Sequence, residues 1–203
     1  MKLGDIFAIV FLLLIIVGIA LYYPQIGSYT KAYPFLIGFF KLFLLGTFGE
    51  MIKHRMSKKT WKLNKLPIRA VIWGFYGIWF TWAFAYASAG TKALINNKLW
   101  FDSGRIGNAF STSLWINILG GYAYFMMLVH EYINFCIKEG RLMSTVVFGE
   151  QINKKIWFRF IPLTLFIWLA LHTFTFSLPP QYRVLSAAML AIVLGFLLSF
   201  GKK

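Results

Sequence analysis

The chain has 203 residues, of which 59% are hydrophobic and 13% charged, with a mean hydropathy of +0.67 and a formal net charge of +15. A soluble domain is about one quarter charged, so this composition excludes a sizeable soluble domain and predicts a membrane protein with several spans of about 20 residues each. The single cysteine, Cys136, excludes an intrachain disulfide and a cysteine-based metal cage.

The first apolar run, from Ile6 to Tyr23, contains no charged residue. It is too long for the core of a signal peptide, and no Ala-x-Ala-like cleavage site follows it. We interpret residues 6–23 as a first transmembrane helix, or signal anchor, that is ended by Pro24. A short polar turn is predicted from Gln25 to Ala32.

A second span is predicted over residues 33–51, with Pro34 in its first turn, where the missing N–H has no consequence. Two ionisable residues interrupt it, Lys41 near its middle and Glu50 at its end. The segment from Lys53 to Arg69 then contains seven lysines and arginines and no acidic residue. We call residues 53–69 the basic segment, and we expect it to fix the orientation of the neighbouring spans.

A third span is predicted over residues 67–90. Its small residues recur every three or four positions and form one helix face, which favours close helix packing in lipid. The residues of this face are Gly74, Gly77, Thr81, Ala85 and Ser88. Gly74, Gly77 and Thr81 are also the predicted contacts of a homo-oligomer.

Two segments of mixed polarity, residues 91–111 and 138–155, are predicted to form interfacial helices. Three further spans complete the predicted fold. They cover residues 112–136, 156–178 and 183–200. The sequence therefore predicts an all-α, polytopic transmembrane helical bundle of six spans in a single domain, residues 1–203, with both termini in the cytoplasm.

The basic residues support this topology, because fifteen fall on the predicted inner side and five on the outer side, as the positive-inside rule requires. The inner residues are Lys2, Lys53, Arg55, Lys58, Lys59, Lys62, Lys65, Arg69, Lys138, Arg141, Lys154, Lys155, Arg159, Lys202 and Lys203. The outer residues are Lys31, Lys92, Lys98, Arg105 and Arg183. This clustering argues against nucleic acid and predicts the lipid bilayer and its anionic inner-leaflet headgroups as partners. It favours a bacterial cytoplasmic membrane, with an organelle inner membrane as the alternative.

Ionisable residues within or beside the predicted spans are the candidates for a polar pathway or gate: Lys41, Glu50, Arg69, His130, Glu131 and Arg183. A charge in the middle of a span costs about 2.5–3.5 kcal/mol. Lys41 is thus either a snorkelling or paired lysine or a cation that lines an anion path. Glu50 and Arg69 form either an ion pair that clamps two spans or a cytoplasmic gate. Arg183 is a helix-start anchor or a lining residue.

His130 and Glu131 match the first two positions of the zincin pattern His-Glu-x-x-His, but Asn134 occupies the place of the second histidine. His172 on another helix could complete a site, although a zinc site needs three or four ligands. The sequence contains no phosphate-binding glycine loop, nucleophile elbow or paired carboxylates. We therefore predict no metal, no cofactor and no catalytic residue.

Short motifs in a common order resemble a known family. Pro179 precedes Tyr182-Arg183, and upstream Pro34 precedes Gly49-Glu50. The further matching positions are Arg69, Gly74, Asp102 and Leu198-Ser199. Together these residues, over about 34–199, resemble the Mpv-seventeen / peroxisomal-membrane-protein-twenty-two family. The resemblance implies a small helical protein of an organelle or cell membrane, with channel-like behaviour and a link to small-metabolite and nucleotide pools.

The sequence leaves three functions open. The first is a small-solute channel or transport-related protein that uses the polar residues of the spans. The second is a membrane-embedded enzyme that acts on a lipid or small substrate at the inner surface through His130 and Glu131. The third is a membrane scaffold that binds partners through the small-residue face of the third span.

Overall fold

The computed structural model describes residues 3–154, 157–158 and 161–200, with the backbone alone for residues 163 and 194–200. Within these residues every regular element is a helix and no strand occurs, so the predicted all-helical fold is confirmed. The elements are α1 (Leu3–Ala32), α2 (Pro34–Lys58), α3 (Leu66–Asn96), α4 (Gly104–Leu114), a π-helix (Trp115–Leu119), α5 (Tyr122–Glu139), α6 (Thr145–Gln151), α7 (Ile161–Ser177) and α8 (Pro180–Phe200).

Some residues used for the topology and the family resemblance lie outside this description. Lys2, Lys155, Arg159, Lys202 and Lys203 are not among the described residues, and neither is Ile156, where the fifth span was predicted to begin. The side chains of Leu198 and Ser199 are likewise outside it.

Three helices, α1, α2 and α3, are long and apolar enough to cross a membrane. A fourth span results if α4, the π-helix and α5 are counted together, although this pair of segments is bent by 49°. No part of the apolar window of α1 is buried within the protein, against half of that of α2. Such an apolar surface is compatible with a membrane protein. Six spans, and both termini on one side, stay predictions.

The first helix does not end at Pro24, and the predicted turn over 25–32 is wrong. α1 continues to Ala32, with a kink at Tyr22, where φ is −112° and ψ is 20°. Proline lacks an N–H and its ring presses on the carbonyl one turn earlier, which bends a helix before the proline. The helix continues beyond the kink to Ala32, and Thr30 in this part accepts from Lys41 Nζ at 2.7 Å.

The continuous interfacial helix predicted over 91–111 is also wrong. α3 runs on to Asn96, residues 97–103 are not helical, and α4 begins at Gly104. Asp102 organises this turn, because its Oδ1 accepts from the Gly104 N–H at 3.0 Å and from Asn108 Nδ2 at 2.8 Å. These hydrogen bonds, first the one from Asn108, lower the pKa of the Asp102 carboxyl from its ordinary value of 3.8.

The chain divides into two compact units, residues 1–84 with 179–203 and residues 85–178. In the first unit α2 is central: it packs most extensively against α8 and also contacts α1. Glycines allow these close approaches. A Cβ added to Gly49 would lie 2.7 Å from the carbonyl oxygen of Ala191 on α8.

α2 and α3 cross at a pair of glycines. A Cβ added to Gly38 would lie 2.9 Å from the carbonyl oxygen of Gly77, and one added to Gly77 would collide with the carbonyl of Gly38. Gly74 is covered by the ring of Phe39, and the Cβ position of Gly38 is beside the hydroxyl of Thr81. The part of the small-residue face that contains Gly74, Gly77 and Thr81 therefore packs within the chain, as expected for close helix crossings, whereas Ala85 is exposed. A homo-oligomer through Gly74, Gly77 and Thr81 stays a prediction.

In the second unit, α4 packs mainly against α7, and the π-helix contacts both α5 and α7. A glycine in the left-handed region, Gly121 with φ +66°, separates the π-helix from α5. Only glycine adopts this conformation without strain. The segment predicted as one span over 112–136 is thus two helical segments that meet at a bend.

Candidate functional site

Lys41 lies in a buried junction of three helices in the first unit. It is the eighth residue of α2, about 10 Å along the helix axis from Pro34. Its side chain is 8% exposed. Nζ donates to Thr30 Oγ1 of α1 at 2.7 Å and, at 3.3 Å, to the Gln181 carbonyl of α8.

Both acceptors of the Lys41 ammonium are neutral. Among the described residues, no carboxylate forms an ion pair with Lys41. An ammonium has three donors, and burying a charge without an opposite charge costs several kcal/mol. The described residues thus supply the Lys41 ammonium with two neutral acceptors and no opposite charge.

Aromatic packing holds this junction together. The rings of Tyr23 and Tyr182 stack with centroids 4.0 Å apart, and Tyr182 Oη donates to the Tyr23 carbonyl at 3.1 Å. Gly27 leaves room for the Tyr182 ring, since an added Cβ would lie 2.9 Å from Cζ. These contacts fix the end of α1 and the start of α8, which provide the two acceptors of Lys41.

The predicted ion pair between Glu50 and Arg69 is present and joins α2 to α3. The second carboxylate oxygen of Glu50 accepts from Trp73 Nε1 at 2.8 Å, and Arg69 Nε donates to the Asn64 carbonyl at 3.0 Å. Both side chains are only 12–13% exposed. Glu50 is nine residues after Lys41, or about 13 Å along the helix, so the two polar clusters of α2 are separate.

A second carboxylate cluster, at Asp5, was not predicted. Asp5 accepts from Arg55 Nε at 2.8 Å and Nη2 at 2.9 Å, the bidentate geometry that favours strong pairing. Its Oδ1 also accepts from Trp61 Nε1 at 2.8 Å. Asp5 and Glu50 each bind one arginine and one tryptophan, and together they attach the basic segment to α1 and α2. The signal available in the sequence was the scarcity of acids, six against 21 basic residues.

The second unit contains a buried, neutral polar cluster at the π-helix. Asn117 and Ser113 are both fully buried. Asn117 Nδ2 donates to the Ser113 carbonyl at 2.8 Å and to Ser113 Oγ at 3.1 Å. Asn117 Oδ1 lies 3.0 Å from His172 Nδ1 of α7, and Ser113 Oγ donates to the Leu169 carbonyl at 2.7 Å. We call these three residues the Asn117 cluster.

The hydrogen bonds of the Asn117 cluster define its chemistry. Because Asn117 Nδ2 donates to Ser113, the Oδ1 atom faces His172 and requires a proton on Nδ1. The hydroxyls of Ser111 and Thr112 donate to the carbonyls of Gly107 and Asn108, one turn earlier. Side-chain hydrogen bonds of this kind also loosen the helix here. His172 was predicted only as a possible metal ligand, and its pairing with Asn117 was not predicted.

The six predicted pathway residues are divided between the two units. Lys41, Glu50, Arg69 and Arg183 belong to the first unit, while His130 and Glu131 belong to the second. Arg183 is half-buried and follows Gln181, the acceptor of Lys41, by two residues. His130 is half-buried and Glu131 exposed on α5. Within the described ranges, no group of three or more His, Cys, Asp or Glu residues is arranged to hold a metal ion.

No protein-family model, curated protein or solved structure matches this chain. The geometry of the Lys41 junction and of the two carboxylate clusters is therefore the basis for any functional assignment.

Proposed function

We propose that this chain is a multi-pass integral membrane protein that conducts or transports a small anionic solute, with Lys41 as the group that binds the anion. One observation carries the proposal: a buried lysine on an apolar helix whose acceptors are a hydroxyl and a carbonyl. Charges at this depth occur almost always toward a bundle interior or an aqueous path.

The membrane assignment is supported by the three long apolar helices and by the exposed apolar side chains of α1. We extend it to the six-span topology, with the basic segment on the cytoplasmic side. A bacterial cytoplasmic membrane is the proposed location. The proposed class of function agrees with the channel-like behaviour that the resemblance to the Mpv-seventeen / peroxisomal-membrane-protein-twenty-two family implies.

The Glu50 and Asp5 clusters are the proposed inner gate. Both carboxylates bind arginines at the ends of the basic segment, Arg55 near its start and Arg69 at its end. Releasing the first pair would separate Arg55 from α1, and releasing the second would separate Arg69 from α2. An anion that approaches from the inner side would compete with the two carboxylates for these arginines. This competition couples entry of the anion to opening of the gate.

Purified protein in liposomes provides the test. We expect flux of small monovalent anions such as chloride or formate, an unchanged flux for Lys92→Met, and at least a tenfold loss for Lys41→Met. Lys92 is an exposed lysine of α3, so its variant removes the same charge from a different position. Absence of anion flux in the wild-type protein at every voltage applied, or equal flux in both variants, would refute the proposal.

A further inference from the structure

An apolar groove of about 610 Å³ lies in the second unit, between α5, α6 and the residues that follow α6. Its size falls within the range of about 300–1,000 Å³ that is typical of ligand sites. Tyr124, Leu128 and Tyr132 recur every fourth residue and line it with one face of α5. Thr145, Phe148 and Gly149 line it from α6, and Ile152 follows directly after that helix. We call this the α5–α6 groove.

Aromatic contacts join α5 to α6 and to Trp157 at the groove. The rings of Tyr132 and Phe148 meet edge to face with centroids 5.4 Å apart, which links α5 to α6. Tyr124 and Trp157 meet in the same way at 5.8 Å. Edge-to-face pairs of this kind are favourable and directional, so contacts between the lining residues themselves determine the shape of the groove.

The two phenols that line the groove are already hydrogen-bonded within the protein. Tyr132 Oη donates to the Met143 carbonyl at 2.6 Å, and Tyr124 Oη donates to the Trp157 carbonyl at 3.3 Å. Their rings, not their hydroxyl protons, are thus presented to an occupant. A hydrocarbon chain fits such a wall, because polar atoms placed there would lose their hydrogen bonds to water.

One charged residue lines the otherwise apolar groove. Of the described residues that line the groove, Lys154 alone is charged, and its side chain is exposed. Lysine carries a flexible apolar stem and a strongly hydrated ammonium. An occupant that matches both features has a hydrocarbon chain for the aromatic wall and an anionic group for Lys154.

We propose that the α5–α6 groove binds one acyl chain of an anionic glycerophospholipid, with the phosphate of the headgroup beside Lys154. The site is independent of the Lys41 junction, and it makes the lipid a specific ligand of this chain as well as its solvent. Lys154 selects the anionic headgroup, and the groove itself selects the acyl chain.

Gly149 allows a clean test of occupancy. Gly149 lines the groove, and a Cβ added there meets no atom within 4 Å, so the position has open space for a side chain. Gly149 lies within α6, where a side chain in place of glycine also favours the helix. Gly90 in α3 is an equally open helical glycine and gives the matched control variant, Gly90→Trp.

The measurement is native mass spectrometry of the delipidated full-length protein titrated with phosphatidylglycerol, phosphatidylcholine or oleate. We expect one phosphatidylglycerol to bind at least fivefold more tightly than phosphatidylcholine and than oleate. Gly149→Trp should reduce phosphatidylglycerol binding at least tenfold, whereas Gly90→Trp should leave it unchanged. Lys154→Gln should reduce the preference over phosphatidylcholine about fivefold.

Three results would overturn the proposal. Equal binding of phosphatidylglycerol and phosphatidylcholine would exclude selection of the headgroup. Tighter binding of oleate would indicate a fatty-acid site in place of a phospholipid site. Unchanged binding by Gly149→Trp, with its helix content intact by circular dichroism, would place the lipid elsewhere on the protein.

Discussion

The Lys41 junction of the first unit and the Asn117 cluster of the second unit are both buried polar sites among apolar helices. They differ in how completely their polar atoms are paired. Asn117 makes three hydrogen bonds, to two atoms of Ser113 and to His172, and carries no charge. Lys41 is an ionisable residue whose two acceptors are both neutral.

This difference separates a structural role from a binding role. A neutral cluster whose members satisfy each other stabilises a defined helix arrangement, and removing one member leaves the others unpaired. A buried charge with only neutral partners is costly to the fold, and a ligand of opposite charge recovers that cost. We therefore expect the two sites to respond in opposite ways to the loss of their central residue.

Asn117→Leu should give the largest effect on stability. His172 and both polar atoms of Ser113 would lose a partner in a fully buried site, so we expect the free energy of unfolding to fall by about 2–4 kcal/mol. Urea-induced unfolding in detergent micelles would measure it.

Asn97→Ala is the control for this change. Asn97 also donates to a carbonyl one turn earlier, at 2.8 Å, but it is exposed. The free energy of unfolding should fall by less than about 0.5 kcal/mol in Asn97→Ala. Equal losses at both positions would contradict the assignment of the Asn117 cluster as a stabilising core.

Glu50→Ala should give an intermediate effect, because the Glu50 cluster is both charged and fully paired. The substitution removes the carboxylate that accepts from Arg69 Nη1 and from Trp73 Nε1 at a site that is mostly buried. We expect a loss of about 1–3 kcal/mol. A double-mutant cycle with Arg69→Met would isolate the ion pair, and additive losses would show that the two side chains do not interact.

Lys41→Met should abolish anion binding while the free energy of unfolding is unchanged or raised by about 1 kcal/mol. Thr30 stays paired in the variant, since its hydroxyl donates to the Ile26 carbonyl at 2.6 Å. Thermal unfolding of the purified protein, with and without a saturating anion, would measure both effects. A clear loss of stability would make Lys41 a structural residue like Asn117.

The smallest effect should come from protonation of Asp102. Its pKa is lowered in the folded protein, so its contribution to stability is complete above the ordinary value of 3.8 and is lost as the pH falls below it. Hydrogen exchange of the Gly104 amide should accelerate over that range relative to neighbouring amides, after correction for intrinsic rates. Asp102→Asn should show no such pH dependence.

Features that depend on local composition could be predicted from the sequence. Apolar runs predicted the helices, and Lys41 and Glu50 stood out as charges within such runs. The partners of these charges depend on which helix faces meet, and that is decided by packing. Asn117 was not predicted as a site because it carries no charge, and its partner His172 is 55 residues away in the sequence.

Pro24 and Gly121 show why helix ends were predicted at the wrong positions. Proline was taken as the end of α1, yet tertiary contacts at Tyr23 and Thr30 accompany the continuation of the helix beyond the kink. Gly120 and Gly121 were included within a continuous span, although a positive φ at Gly121 divides it. Composition locates such residues, but it does not decide between a kink and a break.

The π-helix at Trp115–Leu119 has a consequence for how chains of this type would vary in length. A π turn holds one residue more than an α turn, and it is commonly understood as a single-residue insertion within a helix. Deletion of one residue between 115 and 119 would therefore allow an ordinary helix but would rotate Asn117 away from His172. In an alignment of related chains, a one-residue gap at this point should coincide with the replacement of Asn117 or His172.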